Sequence, residues 1–147
     1  LSDERKAEIG IEFVDHDTLY RESDYLTVHT PLNDETRHII NADSLAKMKP
    51  TAFVVNTSRG GMVDADALAD ALRRKVIAGA GIDVYEVEPP PPELPLFGVE
   101  TCILTPHIGW ASEEAGWEIR QSILDDILAF RDGKDARCVV NKETMRK

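Results

Sequence analysis

Short apolar runs alternate along the chain with longer stretches of helical periodicity. The runs are Ile11–Val14, Tyr25–His29, Ala52–Val55, Ala78–Asp83 and Cys102–Leu104. Runs this short suit strands, and the unbroken Ala52-Phe53-Val54-Val55 suits a strand covered on both faces. Between runs, Val63–Lys75 places Leu68, Ala71 and Leu72 on one helical face. Asn41, Asp64 and Ser112 mark helix starts, because their side-chain oxygens can cap the unpaired N–H groups of a first turn. Glu113 and Glu114 then complement the positive end of the helix dipole. That last signal predicts a helix over Ser112–Arg131, with Ile119, Ile123, Ile127 and Phe130 on one stripe and Gly133 at its end. Strands alternating with helices indicate an α/β fold with a parallel sheet. The string Glu88-Pro89-Pro90-Pro91-Pro92-Glu93 predicts a rigid surface loop, since proline has no N–H for a ladder. A proline-rich ligand motif is the weaker reading.

Charge narrows the partners. The 147 residues carry 17 basic and 27 acidic side chains, a net charge of −10. Such a surface disfavours nucleic acid and anionic membrane, and it admits a small anionic substrate only beside a local positive centre. No apolar run approaches the ~20 residues of a membrane helix, and Leu1–Gly10 has no signal-peptide layout. Cys102 and Cys138 form no C-x-x-C pair and read as reduced thiols of a cytoplasmic protein.

In an open parallel sheet, ligands bind at the carboxyl ends of the strands. The residues after the runs are His29-Thr30-Pro31, Asn56-Thr57-Ser58-Arg59-Gly60-Gly61, Asp83 through Glu88, and Pro106-His107-Ile108-Gly109-Trp110. A cation, acids and two histidines thus share one edge. Each has a duller reading. Arg59 could be a plain surface arginine, although Gly60-Gly61 would let backbone N–H groups approach an anion. Glu88 could be solvated. His107, and more so His29, could be buried and satisfied by backbone. A metal site from His29, Asp83 and His107 matches no ligand spacing. From the residues alone, the reading stops at an active site on this edge.

The strings VHTPLNDETRHIIN, LAKMKPTAFVVNTSRGGMVDADALADAL, AGAGIDVYEVEPP and ILTPHIGWAS together resemble the NAD-binding region of the D-isomer-specific 2-hydroxyacid dehydrogenases. They stand in that family's order and spacing and cover nearly the whole chain. The resemblance implies a Rossmann-type fold, NAD as cofactor, and interconversion of small 2-oxo and D-2-hydroxy acids. It implies Arg59 as the substrate-binding arginine, Glu88 as the acid partner and His107 as the acid/base. It places Asp83 at the nicotinamide carboxamide, and Thr30, Pro31, Thr57, Ser58, Arg59, His107 and Gly109 among the cofactor contacts. Trp110 would line the substrate pocket. The family further implies a homodimer in full-length form, while charge and ligand spacing already speak against nucleic acid, membrane and metal. Trp110 and the tail Cys138-Val139-Val140-Asn141-Lys142 lean toward the C-terminal-binding-protein branch, although glyoxylate and glycerate dehydrogenase-like members share a Trp near position 110. That branch supplies an alternative, an NAD(H)-sensing corepressor-like scaffold that dimerises on nucleotide binding.

The family's G-x-G-x-x-G loop and the acid ~20 residues beyond it precede Leu1 in the pattern. The expected architecture is therefore a partial Rossmann-type parallel sheet lacking its first two strands. Residues 1–111 would form the C-terminal part of a dinucleotide-binding domain. Residues 112–147 would form a return helix and tail belonging with a missing substrate domain. Ile11–Val14 would be strand three and Tyr25–His29 strand four of the order 3-2-1-4-5-6. With the strands between them missing, Leu1–Arg21 is expected to be poorly ordered, repacked or swapped. The chain alone is expected to bind NADH weakly and to be inactive.

Overall fold

The computed structural model describes residues 2–137, 139 and 141. The chain divides into two compact units, Leu1–Ile108 and Gly109–Lys147. The first is built on four parallel strands, β1 (Tyr25–Val28), β2 (Phe53–Asn56), β3 (Gly79–Ile82) and β4 (Cys102–Leu104), side by side in chain order. Tyr25 pairs with Phe53, Phe53 with Gly79 and Ala80 with Cys102. Parallel neighbours in sequential order bring every carboxyl end to one edge. The loops after the strands therefore meet there.

Period-two alternation decides which face is covered. Leu26, Val28, Val54, Ala80 and Ile82 are buried and belong to one core cluster. Leu45 of α3 (Ala42–Ala46) and Leu68 and Leu72 of α4 (Ala65–Arg73) complete it. The alternate residues Tyr25, Phe53 and Ile103 are exposed. The Tyr25 and Phe53 rings stack on that face, centroids 5.5 Å apart.

The caps act as their sequence implies. Asn41 accepts from the Asp43 and Ser44 amides while Ser44 Oγ accepts from the Asn41 amide, a complete capping box. Asp64 caps α4 through the Ala67 amide at 3.0 Å. Ser112 caps α5 (Glu113–Arg131) through the Ala115 amide, also at 3.0 Å.

Two expectations are corrected. Ile11–Val14 joins no ladder; Ile11, Phe13 and Val14 are exposed. Among the described residues no strand lies beside it, and an apolar run without a neighbour has nothing to pair with. His29 is exposed and bonded to Thr27 Oγ1 at 2.8 Å rather than buried. The alternation that turns Tyr25 and Thr27 to the open face turns His29 there too. Before β1, α1 (Asp3–Ile9) and α2 (His16–Glu22) form, and α2 is packed. Tyr20 is buried, its hydroxyl donates to the Ile39 carbonyl at 3.0 Å, and Asp17 pairs with Lys47 at 2.5 Å.

In the second unit, Ile119, Ile123, Ile127 and Phe130 of α5 are exposed along one stripe. Gly133, at φ +70°, closes the helix by donating to the Phe130 carbonyl. Cys138, Val140 and Lys142 of the tail lie outside the described residues. Cys102 is a free, half-buried thiol, and burial pushes its pKa up to about 11. No helix among the described residues is long and apolar enough to cross a membrane.

Leu68 is fully buried where α4 meets the sheet. Leu68→Ala should cost about 2–5 kcal/mol, the transfer loss plus a cavity. Urea denaturation of the wild type and variant measures it; a loss below 1 kcal/mol would mean that the site collapses or is not core.

Candidate active site

The loop after β2 is organised by a residue that sequence reasoning did not single out. Asn56 is fully buried, because it continues the alternation that buries Val54. A buried amide must find partners. Its Oδ1 accepts from the Ser58 amide at 3.1 Å and its Nδ2 donates to the Arg59 carbonyl at 2.9 Å. The turn carrying Arg59 thus wraps around the end of its own strand. A polar residue at a strand position due for burial was the available signal.

Gly60 and Gly61 were read as glycines that free backbone N–H groups for an anion. Packing also calls for glycine here. A Cβ on Gly60 would stand 1.9 Å from the Tyr85 carbonyl carbon and 2.3 Å from the Glu86 nitrogen. A Cβ on Gly61 would stand 3.0 Å from Leu32. Gly61 also accepts from the His38 amide at 2.9 Å. The glycines let the loop after β2 touch the loops after β1 and β3. Arg37 pairs with Glu86 across the same junction.

Arg59 itself is exposed, and its guanidinium donates to the Ser58 carbonyl at 2.7 Å. It has no carboxylate partner among the described residues. Beside it, Ser58 Oγ donates to the Thr30 carbonyl at 3.1 Å, Thr30 Oγ1 lies 3.6 Å from Met62 Sδ, and Thr57 is exposed. The Pro31 carbonyl accepts from Thr36 Oγ1 at 2.7 Å. Thr30, Pro31, Thr57, Ser58 and Arg59 therefore lie together beyond β1 and β2.

Beyond β3 and β4 the structure brings Glu88 and His107 together. Glu88 Oε2 lies 2.7 Å from His107 Nδ1, and Glu88 Oε1 accepts from the Tyr85 amide at 2.9 Å. The Tyr85 amide first, then the imidazole, hold the Glu88 carboxyl below its ordinary value of 4.5. His107 has φ +56°, a conformation uncommon for a residue with a side chain. Its neighbours restrain it. Asp83, buried, accepts from Thr105 Oγ1 at 2.5 Å and from the Ile108 amide at 2.9 Å. The Thr105 amide donates to the Ile82 carbonyl at 3.0 Å. Gly109 and Trp110 open the second unit, and Trp110 is exposed.

The edge suits parts of a dinucleotide. An apolar crevice of about 110 Å³ opens at the end of β1, lined by Leu19, Tyr20, Leu26, Val28, Thr30 and Ile40. A buried carboxylate at the end of β3 has the acceptor chemistry that a carboxamide N–H needs. The sequence contains no Gly-x-Gly-x-x-Gly string to cradle a pyrophosphate. Among the described residues, no group of three or more His, Cys, Asp or Glu side chains could hold a metal ion.

The profile of the D-isomer specific 2-hydroxyacid dehydrogenase NAD binding domain matches residues 1–109. The chain belongs to this family. It is 42% identical over 139 residues to a glyoxylate reductase of Korarchaeum cryptofilum, covering 95% of this chain and 42% of that protein. It is 41% identical over 141 residues to a D-3-phosphoglycerate dehydrogenase of Archaeoglobus fulgidus, covering 96% of this chain and 27% of that protein. The D-lactate dehydrogenase of Lactobacillus jensenii with NAD+ superposes with a TM-score of 0.84 at 29% identity, covering 97% of this chain and 46% of that one. The chain thus spans less than half the length of these relatives. NAD is the nucleotide of its family, and the four-stranded sheet is part of the NAD-binding fold.

Two outcomes follow from the loops. Gly60→Ala must force the Tyr85–Glu86 peptide away and should cost about 1–3 kcal/mol, the usual penalty of overpacking, measured by thermal denaturation; an unchanged Tm would mean that the two backbones are not in contact. Glu88→Gln tests the dyad through pH. A carboxylate with a depressed folded pKa stabilises the fold above its unfolded pKa, and that stability is lost as pH falls through the folded one. The stability gap between wild type and Glu88→Gln should be widest at neutral pH and close below the ordinary value of 4.5. A gap independent of pH would remove the ionic contribution.

Proposed function

We propose that these residues belong to an NAD-dependent oxidoreductase that interconverts 2-oxo acids and D-2-hydroxy acids, with Arg59, Glu88 and His107 as its catalytic residues. The observation that carries this reading is the 2.7 Å Glu88–His107 pair at the carboxyl edge of a parallel sheet. The names of the family relatives support the substrate class.

When bound, the nicotinamide supplies or accepts the hydride. The protein supplies orientation, charge and a proton. With Nδ1 facing Glu88, His107 passes its proton through Nε2. In reduction it protonates the developing alkoxide, and in oxidation it takes the hydroxyl proton. Glu88 orients the ring and stabilises the imidazolium while the proton is held there. Arg59 forks onto the substrate carboxylate and polarises the adjacent carbonyl. Its single bond to the neutral Ser58 carbonyl is readily exchanged, because a carboxylate offers two charged oxygens that match the guanidinium fork.

Thr30, Pro31, Thr57, Ser58, Arg59, Asp83, His107 and Gly109 belong to the same proposal as cofactor contacts, and Trp110 as a wall of the substrate pocket. So do the assignment of residues 112–147 to the substrate domain and action as a cytoplasmic homodimer.

The test follows NADH oxidation by the full-length protein with a panel of small 2-oxo acids headed by glyoxylate. His107→Ala should lower kcat roughly 10²–10⁴-fold. Arg59→Lys should chiefly raise KM for the oxo acid, since an ammonium cannot form the fork. A wild type inert toward every oxo acid, or a His107→Ala variant with undiminished kcat, would refute the reading.

A further inference from the structure

Tyr85 stands where all three proposed catalytic residues are referenced to one another. Its backbone amide donates to Glu88 Oε1 at 2.9 Å, which leaves Oε2 for the His107 ring. Its hydroxyl donates to the Thr105 carbonyl at 2.9 Å, two residues before His107. Its carbonyl carbon lies so close to Gly60 that a Cβ there would stand at 1.9 Å, and Gly60 follows Arg59 directly. The ring is fixed as well. It walls an apolar hollow of about 140 Å³ beneath the proline loop, with Val63, Ile82, Leu94 and Leu96. Burial pushes the phenol upward from its ordinary value, which keeps it a neutral donor at working pH.

We propose that Tyr85 is a positioning residue for proton transfer: one end of it holds the carboxylate of the Glu88–His107 pair and the other end holds the turn that presents the imidazole. The two partners come from different loops, 19 residues apart in sequence. His107 also sits in the left-handed backbone region, where a residue with a side chain persists only if its surroundings over-determine it. Asp83 restrains that turn through Thr105 Oγ1 and the Ile108 amide. Tyr85 ties the same turn to the loop of Glu88, because its amide also grips that carboxylate. A dyad assembled from two loops needs such a common reference, since small misplacements at reacting groups carry large rate losses.

The proposal rests on the dehydrogenase reading, so its test has a readout independent of turnover. Tyr85→Phe keeps the ring and the amide and deletes only the hydroxyl. In the full-length enzyme, kcat for 2-oxo acid reduction should fall about 3- to 10-fold, the size of one net hydrogen bond. KM for the oxo acid and for NADH should stay within about twofold, because the Arg59 loop is held by Asn56 and not by the hydroxyl. In carboxyl-carbon NMR, the Glu88 titration should move up toward its ordinary value. In a His107→Ala background, adding Tyr85→Phe should not lower the residual rate further.

A wild type without turnover overturns the dehydrogenase reading alone, and the Glu88 titration then still decides the positioning role. An unmoved Glu88 titration overturns the positioning role whatever the rates. So does a rate loss that tracks Tm and persists in the His107→Ala background, which would mark a merely structural tyrosine.

Discussion

The backbone at Gly60 runs against the peptide joining Tyr85 to Glu86, so close that one methyl group would collide with it. Most of the edge depends on this contact. It fixes the loop after β2 against the loop after β3, and Arg59 and Glu88 are carried on the two sides of the junction. The contact exists only because position 60 has no side chain. The Arg37–Glu86 pair spans the same junction with both side chains about half exposed. An exposed ion pair is worth about 0–1 kcal/mol, too little to hold two loops together. The close approach, backed by the internal hydrogen bonds of Asn56, is the stronger restraint.

The sheet explains why the loops can meet there at all. Four parallel strands in chain order deliver four loops to one edge, whereas antiparallel strands would send every second loop to the far edge. The same sheet is unequally covered. Leu26, Val54 and Ile82 are sealed by α3 and α4, while Tyr25, Phe53 and Ile103 stay open. In a doubly wound sheet both faces are normally covered. The open face of this sheet departs from that pattern.

What was legible in the sequence was local. Asn41, Asp64 and Ser112 cap helices because a cap needs only the next three residues. The runs that became β1 to β4 could be read because their pairing partners are present in the same chain. Ile11–Val14 has the same composition and forms no strand, since a ladder is a property of two segments and not of one. His29 was misjudged because its residue type suggested burial, while its place in the alternation of β1 pointed to the open face. A close neighbour of Gly60 was missed for a related reason. The pattern revealed that something must approach closely, but the approaching group lies 25 residues away and is backbone. Asn56 and Tyr85 lie inside the family strings but were assigned no role there. Their importance lies in which carbonyls and amides the fold brings within reach.

The two halves of the proposed chemistry are prepared to different degrees. The proton-transfer half is already assembled. Glu88 is gripped at one oxygen by the Tyr85 amide and offers the other to His107, and the histidine turn is tied to Asp83 and Tyr85. The charge-recognition half is not assembled. Arg59 hangs from a well-held loop, but its guanidinium rests on its own neighbour's carbonyl. A long cationic side chain loses rotamer freedom when it engages a carboxylate. That cost falls on substrate binding and leaves the proton-transfer geometry untouched. On the proposed reading, fixed acid/base groups beside a long, exposed arginine would let one edge accept substrates of different length, provided that each ends in a carboxylate next to the reacting carbon.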